Sequence, residues 1–218
     1  MDMDGSTILP VVAAGVYREE LAQAVLSFKR HGQRQLATVL AKGLGRAIHA
    51  AAGDANGLCL VPVPSSNKAF RKRGFSPVHL LLGSIRRRNM LRGMSVHGVL
   101  RKSSRRGSGE RLSSGQKGLG RGARARRVRD SMRVPPGRHT AAIRGRPCII
   151  VDDVLTTGAT LAEAARAVHL AGGIVRGAVV LAATRPPDAS VLPVVYPRVR
   201  PDEVSTYKKI SDERMNNP

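Results

Sequence analysis

The chain has 218 residues, of which 42% are hydrophobic and 3% aromatic, and its formal net charge is +22. This length and apolar content suit one α/β domain with a packed core and exclude general disorder. The lack of Trp disfavours a surface that binds nucleic acid by stacking bases on aromatic rings. No apolar run approaches the ~18 residues that span a bilayer, and the start Met1-Asp2-Met3-Asp4 is acidic, so we expect a cytoplasmic protein without membrane contact.

The positive charge is concentrated in one stretch. Residues Arg86–Arg133 contain sixteen Lys or Arg but only two acids, Glu110 and Asp130. Such a field attracts polyanions, which include nucleic acid, pyrophosphate and phosphorylated metabolites. The alternative is compositional, because the whole chain is rich in Arg, Ala and Gly, but this explains the clustering less well than the abundance.

The two cysteines, Cys59 and Cys148, both lie in apolar runs. We therefore expect buried free thiols and not a disulfide or a metal pair. The histidines show no spacing typical of metal ligands, so no protein metal site is predicted.

In chain order, the first predicted elements are two helices. Apolar residues between Tyr17 and Arg30 fall on one helical face, with Gly32 as the stop signal. A second helical pattern runs from Leu36 to Ile48. We assign residues 1–56 to an N-terminal helical hairpin, or hood.

A strand and a further helix are predicted next. The continuous apolar run Leu58–Val63 is typical of a strand covered on both faces. Its prolines force an extended exit into a basic loop, which Gly74 closes. Ser76 then caps a helix that has Pro77 at its first position.

The middle of the chain carries weaker signals. Ser95–Leu100 predicts a weak strand, and Ser103–Gly122, rich in Ser, Gly and Arg, predicts a mobile loop. A short helix is expected to follow, up to about Met132. After Arg185 the chain is Pro-rich and polar, so residues 185–218 are expected to form a loosely ordered tail.

Strands and helices alternate in the remaining part. Cys148–Val151 and Ile174–Ala183 are predicted strands, and Thr160–Leu170 between them is a predicted amphipathic helix. This alternation predicts an α/β fold with a mostly parallel twisted sheet and helices on both faces. We assign residues 57–184 to this core.

The strongest functional signal lies where the strand from Cys148 ends. Asp152 and Asp153 reach the carboxyl end of the sheet, where open α/β sheets bind ligands. Adjacent strand residues point to opposite faces, so the backbone geometry should change there if both acids are to reach one sugar. The threonines and Gly158 that follow form a turn that opens a helix, and its N–H groups can hold an anion.

The two carboxylates could bind the hydroxyls of a diol, and the N–H groups one turn later could bind a phosphate. Together these groups suit ribose 5-phosphate. The alternative, an ordinary strand, turn and helix with a threonine cap, does not explain two unpaired acids at a strand end. The Gly-Lys-Ser/Thr of a P-loop is absent from this segment.

The segment resembles the signature with which type I phosphoribosyltransferases bind 5-phosphoribosyl-1-pyrophosphate (PRPP). The chain is also similar to the ComF/GntX family of competence-associated phosphoribosyltransferase-like proteins. The further segments that match this family are Gly15-Val16-Tyr17 with Lys29 downstream, Val61-Pro62-Val63-Pro64 with Arg73-Gly74-Phe75, and Gln116 with Leu119 and Arg121. Ser76-Pro77 stands where the family usually has Asn-Gln, and the four-cysteine zinc ribbon of many members is absent.

The resemblance implies a type I phosphoribosyltransferase fold and a site in three parts. The PRPP-binding residues would be Asp152, Asp153, Leu155, Thr156, Thr157, Gly158, Ala159 and Thr160. The pyrophosphate loop would contain Val63, Pro64, Ser65, Ser66, Arg71 and Arg73, and a flexible catalytic loop would contain Gln116, Lys117 and Arg121. The alternatives are a solvated basic loop for the arginines and a linker without a role for the flexible segment.

The resemblance further implies transfer of phosphoribosyl from PRPP to an unidentified acceptor with release of pyrophosphate, using Mg²⁺ carried mainly by PRPP. Two other functions stay open. One is a non-catalytic DNA-uptake factor that binds nucleic acid through Arg86–Arg133, and the other is a PRPP-sensing regulator. A homodimer is a candidate assembly, because dimers are common among such relatives.

Overall fold

The computed structural model describes residues 9–103 and 130–184, except the side chain of Arg34, and the backbone of residues 194–195. Its strands are β1 Val11–Val16, β2 Leu58–Pro62, β3 Met94–Val96, β4 Arg101–Lys102, β5 Met132–Arg133, β6 Pro147–Leu155, β7 Ile174–Ala183 and β8 Val194–Val195. Its helices are α1 Glu19–His31, α2 Arg34–Ala52, α3 Asn67–Arg73, α4 Pro77–Arg87, α5 Arg138–Ala141 and α6 Ala159–Leu170.

Six of these strands form one sheet in the order β3-β2-β6-β7-β1-β8, and each neighbouring pair is parallel. From β2 the chain crosses through α3 and α4 to β3 on one side. From β6 it crosses through α6 to β7 on the other side. The winding therefore reverses between β2 and β6. In an open parallel sheet, such a switch point leaves a crevice at the carboxyl ends of the strands, where ligands bind.

Both faces of the sheet are covered. Helices α1, α2 and α4 pack on one face, against residues that include Leu60 and Ile149. Helix α6 and the ribbon formed by β4 and β5 pack on the other face, against Val61 and Ile150. These pairs alternate along β2 and β6, as the two-residue period of a strand requires. The predicted α/β fold with helices on both faces is confirmed.

Strand β1 is the main difference from the sequence analysis, which assigned only helices before Leu58. Val11–Val16 pairs with β7 on one side and β8 on the other, so part of the predicted hood lies inside the sheet. Both predicted helices are present, and α2 packs against β1 and β7. The tail was expected to be loosely ordered, but Val194–Val195 form strand β8. The other residues of the tail lie outside the described part of the chain.

Two shorter elements also differ from expectation. The predicted basic loop after β2 is largely helix α3, because the Ser66 Oγ accepts a hydrogen bond from the Ala69 N–H at 3.2 Å and so caps it. Gly74 ends this helix with a φ of +76°. The prediction of a helix up to about Met132 is wrong at its end, because Met132 begins β5, which pairs antiparallel with β4. The predicted mobile loop lies outside the described residues from residue 104 onward.

The two cysteines are free and buried, as predicted. Cys59 and Cys148 lie opposite each other on β2 and β6. Burial raises the pKa of the Cys148 thiol to about 12, which keeps it protonated and unreactive. Across the described ranges, no helix is both long and apolar enough to cross a membrane.

Candidate functional site

The two acids lie within β6, which continues past them to Leu155. No change of geometry is observed between Asp152 and Asp153. The alternation of side chains shifts only after them, because Val154 packs with the cluster on the α1 side and Leu155 with the cluster on the α6 side. Asp152 is paired with Val180, whose side chain packs on the α6 face of the sheet. Because side chains alternate along a strand, Asp153 faces the other side, toward α1.

Each face supplies different surroundings to its acid. Lys29, in the last turn of α1, lies with its Nζ 2.9 Å from the Asp153 Oδ2 and forms an ion pair. The Asp152 Oδ1 accepts a hydrogen bond from the backbone N–H of Asp153 at 2.8 Å. The carboxylates are therefore adjacent but not equivalent, because only Asp153 has a lysine in direct contact among the described residues.

The pKa of Asp152 reflects this difference. Burial and the neighbouring Asp153 carboxylate raise the pKa of Asp152 to about 7, against the lowering effect of the Asp153 N–H and the charges of Lys29 and Lys102. Asp152 therefore keeps its proton to a higher pH than an ordinary aspartate does. A ligand that donates hydroxyl hydrogen bonds or brings a cation would favour the ionised form.

The turn after β6 is held in place by the end of β7. The Leu155 carbonyl accepts hydrogen bonds from the Thr184 N–H at 3.0 Å and from the Thr184 Oγ1 at 3.2 Å. Gly158 has a φ of +77° and caps α6, which begins at Ala159. The structure brings the predicted turn residues together at the N-terminus of α6, and those with exposed side chains are Thr156 and Thr157.

The segment after β2 starts beside the acids. The Val63 N–H donates to the Val151 carbonyl at 2.9 Å, which places the predicted pyrophosphate loop next to β6. Ser66 is occupied as the cap of α3, and the Ser65 Oγ donates to the Ser76 Oγ at 3.4 Å.

The two predicted arginines of this loop lie in and at the end of α3. Arg71 is exposed, whereas Arg73 is half-buried and its Nε has no hydrogen-bond partner within the part of the chain that is described. Neither arginine forms an ion pair with Asp152 or Asp153 among the described residues. The structure therefore places the start of the loop beside β6, next to the residue before Asp152, and does not pair its arginine charges with the acids among the described residues.

The predicted flexible-loop residues Gln116, Lys117 and Arg121 lie outside the described residues. Two lysines near the acids were missing from the predicted site. Lys29 was predicted only as part of the family resemblance and not as a site residue. Its position in the last turn of a predicted helix did not indicate that it would reach Asp153. Lys102 carried no signal of its own, because it is one of sixteen similar cations.

The chemistry of the donors bears on metal binding. Over residues 9–103 and 130–184, no group of three or more His, Cys, Asp or Glu side chains is placed to hold a metal ion. Two adjacent carboxylates suit a hard cation such as Mg²⁺ only when other oxygen ligands come from elsewhere. This donor set fits an ion that arrives with a phosphorylated ligand.

Comparison with known proteins gives a consistent result. The family model of the phosphoribosyl transferase domain matches residues 90–204, which is more than half of the chain and includes β6, α6 and β7. An orotate phosphoribosyltransferase from Pyrobaculum islandicum is 52% identical over 40 residues, which cover 18% of this chain and 21% of that protein. The match thus spans about a fifth of that relative. With its parallel sheet, two helical layers and acids at the switch point, the chain has a type I phosphoribosyltransferase fold and belongs to the phosphoribosyl transferase domain family.

Proposed function

We propose that the chain binds PRPP at the carboxyl ends of β2 and β6 and transfers its phosphoribosyl group to an acceptor, with release of pyrophosphate. The observation that carries this proposal is the pair Asp152 and Asp153, adjacent at the switch point of the sheet and one turn before the N-terminus of α6. Family membership supports the use of PRPP.

Each part of PRPP has a chemically suited partner. The N–H groups at the start of α6 and the glycine turn at Gly158 suit the 5-phosphate. The carboxylates of Asp152 and Asp153 suit the ribose hydroxyls, because an ionised carboxylate accepts hydrogen bonds only. Since the two face opposite sides of β6, both contact one ribose only if the end of the strand rearranges when PRPP binds. The loop from Val63 to Ser66, followed by the basic helix α3, suits the pyrophosphate.

The transfer would depend on charge more than on proton transfer. As the bond from the ribose to pyrophosphate breaks, negative charge builds on the leaving group and positive charge on the ribose. Cations around the pyrophosphate stabilise its growing negative charge, and the carboxylates stabilise the growing positive charge on the ribose. Mg²⁺ bound to PRPP would add positive charge on the leaving group.

Finer assignments belong to the same proposal. Membership of the ComF/GntX subfamily is supported by the matching segments around Tyr17, Pro62 and Gln116. We also propose a helical hood in residues 1–56, a core in residues 57–184 and a tail in residues 185–218, with β1 and β8 joining the sheet of the core. A homodimer is proposed as the assembly.

A PRPP-sensing regulator is the second candidate. It is favoured by the combination of a complete PRPP-binding segment with Ser76-Pro77, which departs from the family at an accessory position. Such a protein would bind PRPP without releasing pyrophosphate.

Calorimetric titration with PRPP and Mg²⁺ tests the site. The double variant Asp152→Asn with Asp153→Asn should lose binding while its circular dichroism spectrum stays that of the parent. Asp54→Asn, at an exposed position after α2, is the matched control and should bind normally. Equal affinity in the double variant and the parent would disprove the ribose assignment. A screen of acceptors for pyrophosphate release then separates the transferase from the regulator.

A further inference from the structure

Three polar side chains connect the loop after β2 to the start of helix α4. The Ser65 Oγ donates a hydrogen bond to the Ser76 Oγ at 3.4 Å, and the Ser76 Oγ lies 3.0 Å from the His79 Nδ1. Ser76 makes no capping hydrogen bond to the backbone of α4, so its hydroxyl serves this connection and not the end of the helix. Of the three residues, Ser65 has a place in the proposed site, while Ser76 and His79 have none so far.

The His79 ring also faces the corner between β3 and β4. A Cβ atom at Gly98 would lie 3.3 Å from the His79 Nε2, so the backbone of this corner comes close to the ring. The Arg101 Nη1 donates to the carbonyls of Gly98 and Leu100 at 2.7 and 2.9 Å, which holds its charge at the same corner. The ring therefore stands between Ser76 and the corner, with part of its surface exposed to solvent.

These surroundings favour a neutral ring. Partial burial and the charge of Arg101 lower the pKa of His79. Among the described residues, Arg101 is the charged group that acts on the ring. The loop Val63–Ser66 and the residues one turn further along α4 are uncharged, and His97, which begins the corner, contacts the Ser95 Oγ instead.

The protonation state of the ring sets the direction of these hydrogen bonds. In the neutral ring, Nδ1 accepts the hydrogen of Ser76, and the Ser76 oxygen accepts the hydrogen of Ser65. The single hydroxyl hydrogen of Ser65 is then used inside the protein. When the ring takes up a proton from solvent at Nδ1, it donates to Ser76, Ser76 donates to Ser65, and the Ser65 hydrogen becomes free for a ligand.

We propose that Ser76 and His79 are positioning residues that couple the binding of pyrophosphate at Ser65 to the uptake of a proton by the His79 ring. An anionic oxygen at the loop favours the donating Ser65 hydroxyl and the positive ring, whereas the neutral ring favours the reverse direction. The inference rests on the proposed function, because that function places pyrophosphate at the loop Val63–Ser66.

The coupling gives affinity a defined dependence on pH. Binding of the anion raises the pKa of His79, because the ligand stabilises the protonated ring. By reciprocity, protonation of the ring strengthens binding. The affinity should therefore rise as the pH falls through the pKa of the bound form and level off below the pKa of the free form.

Calorimetric titration of the full-length protein with inorganic pyrophosphate, without Mg²⁺, tests the coupling. Heats measured in two buffers with different ionisation enthalpies give the number of protons taken up on binding. The parent should take up more protons than His79→Ala or Ser76→Ala, and this difference excludes the protonation of pyrophosphate itself. The ratio of the parent's affinity to that of His79→Ala should rise about tenfold from about pH 8 to about pH 5.

The titration of the His79 ring, followed by NMR, tests the route through Ser76. Pyrophosphate should raise the pKa of His79 in the parent and much less in Ser76→Ala, where only the charge of the ligand acts on the ring. Ser76→Thr keeps the hydroxyl and should restore the parent's behaviour. An equal rise in the parent and in Ser76→Ala would overturn the proposal, as would a parent whose His79 does not respond to pyrophosphate.

A control variant separates the coupling from general effects of removing a histidine. His169 is exposed in the last turn of α6, at the end away from the candidate site, so His169→Ala should bind pyrophosphate and take up protons as the parent does. Circular dichroism checks the fold of each variant. If His79→Ala does not fold, the comparison of Ser76→Ala with Ser76→Thr decides the question.

The two proposals fail in different ways. If the parent binds PRPP but its proton uptake equals that of His79→Ala, the coupling is wrong and the proposed function stands. If pyrophosphate binds with an uptake that depends on His79 while PRPP does not bind, the coupling stands and the proposed function is wrong. A parent that binds neither ligand would overturn both.

Discussion

Asp152 and Asp153 are adjacent, yet the strand gives them opposite surroundings. Lys29 neutralises Asp153 from the α1 side, while Asp152 faces the α6 side with its own backbone neighbour as its hydrogen-bond donor. Holding two carboxylates this close without a ligand costs stability, since burial and repulsion both disfavour the second charge. Such a cost is typical of positions kept for binding.

Asp152 should make the free energy of unfolding depend on pH. Its pKa of about 7 in the folded state lies above the usual value, so the folded chain holds a proton that the unfolded chain releases. The contribution of this group to stability therefore falls as pH rises from about 4 to 7. Urea unfolding of Asp152→Asn should show a gain on the order of 2 kcal/mol at pH 8 and almost none at pH 4. An equal difference at both pH values would contradict the raised pKa.

Gly158 should be required for binding of the 5-phosphate. Its φ of +77° is strained for other residues, and a branched side chain would occupy the space next to the first N–H groups of α6. Gly158→Val should remove detectable binding of ribose 5-phosphate in a calorimetric titration. Gly137→Val is the matched control, because Gly137 has the same φ and open space around it. Both variants should lose about 1–2 kcal/mol of stability, but only the first should lose binding.

At the scale of elements, local signals predicted the part of the chain from β6 to β7 closely. The apolar run of β6 and the glycines that end α6 are readable within a few residues, and β7 has the predicted bounds Ile174–Ala183. Strand β1 was missed because its partners β7 and β8 come late in the chain, so no local signal indicated its pairing. The ribbon was missed because its four residues are charged or isolated apolar ones without a strand period.

The candidate site divides in the same way. Asp152, Asp153 and the turn to Thr160 could be predicted, because their chemistry lies in one continuous segment. Lys29 and Lys102 could not be placed, since α1 and the ribbon reach the acids only through tertiary packing. The place of Ser66 in a pyrophosphate loop stays a prediction, and its role as the cap of α3 was not predicted.

The cap of α3 allows stability and binding to be separated. Ser66→Ala removes the acceptor for the Ala69 N–H and should cost about 1 kcal/mol in urea unfolding. Ser66→Asp keeps a capping oxygen, so stability should stay near that of the parent, while its negative charge should repel pyrophosphate. We expect a clear loss of pyrophosphate affinity in Ser66→Asp. Normal affinity in that variant would place the pyrophosphate away from this loop.

At the scale of the whole molecule, the unequal distribution of charge stands out. The stretch Arg86–Arg133 holds sixteen of the 37 Lys and Arg residues, and the ribbon that carries Lys102 lies within it. The same field could guide an anionic metabolite to the crevice between β2 and β6, or bind the phosphates of a nucleic acid. The two roles differ in how affinity depends on salt.

Salt dependence of DNA binding should therefore identify the use of this stretch. If it serves DNA, each neutralised phosphate releases a counterion, and the log–log slope of affinity against salt is about −0.7 per contact on single strands. Replacing four arginines by glutamine would then flatten the slope by roughly 3 units; these are Arg124, Arg126, Arg127 and Arg129. We expect instead weak, unspecific binding with little change in slope, because the stretch contains no aromatic residue on which a base could stack.

The control for this measurement replaces four exposed arginines outside the stretch, which are Arg18, Arg30, Arg138 and Arg144. It makes the same change in net charge, so an equal effect in both variants would reflect the overall field and not a local site. If the stretch serves pyrophosphate, Lys117→Ala and Arg121→Ala should slow pyrophosphate release more than they weaken PRPP binding, because cations that meet the leaving group act mainly on the transition state. A steep slope that collapses only in the variant within the stretch, without pyrophosphate release from any acceptor, would favour a nucleic-acid role.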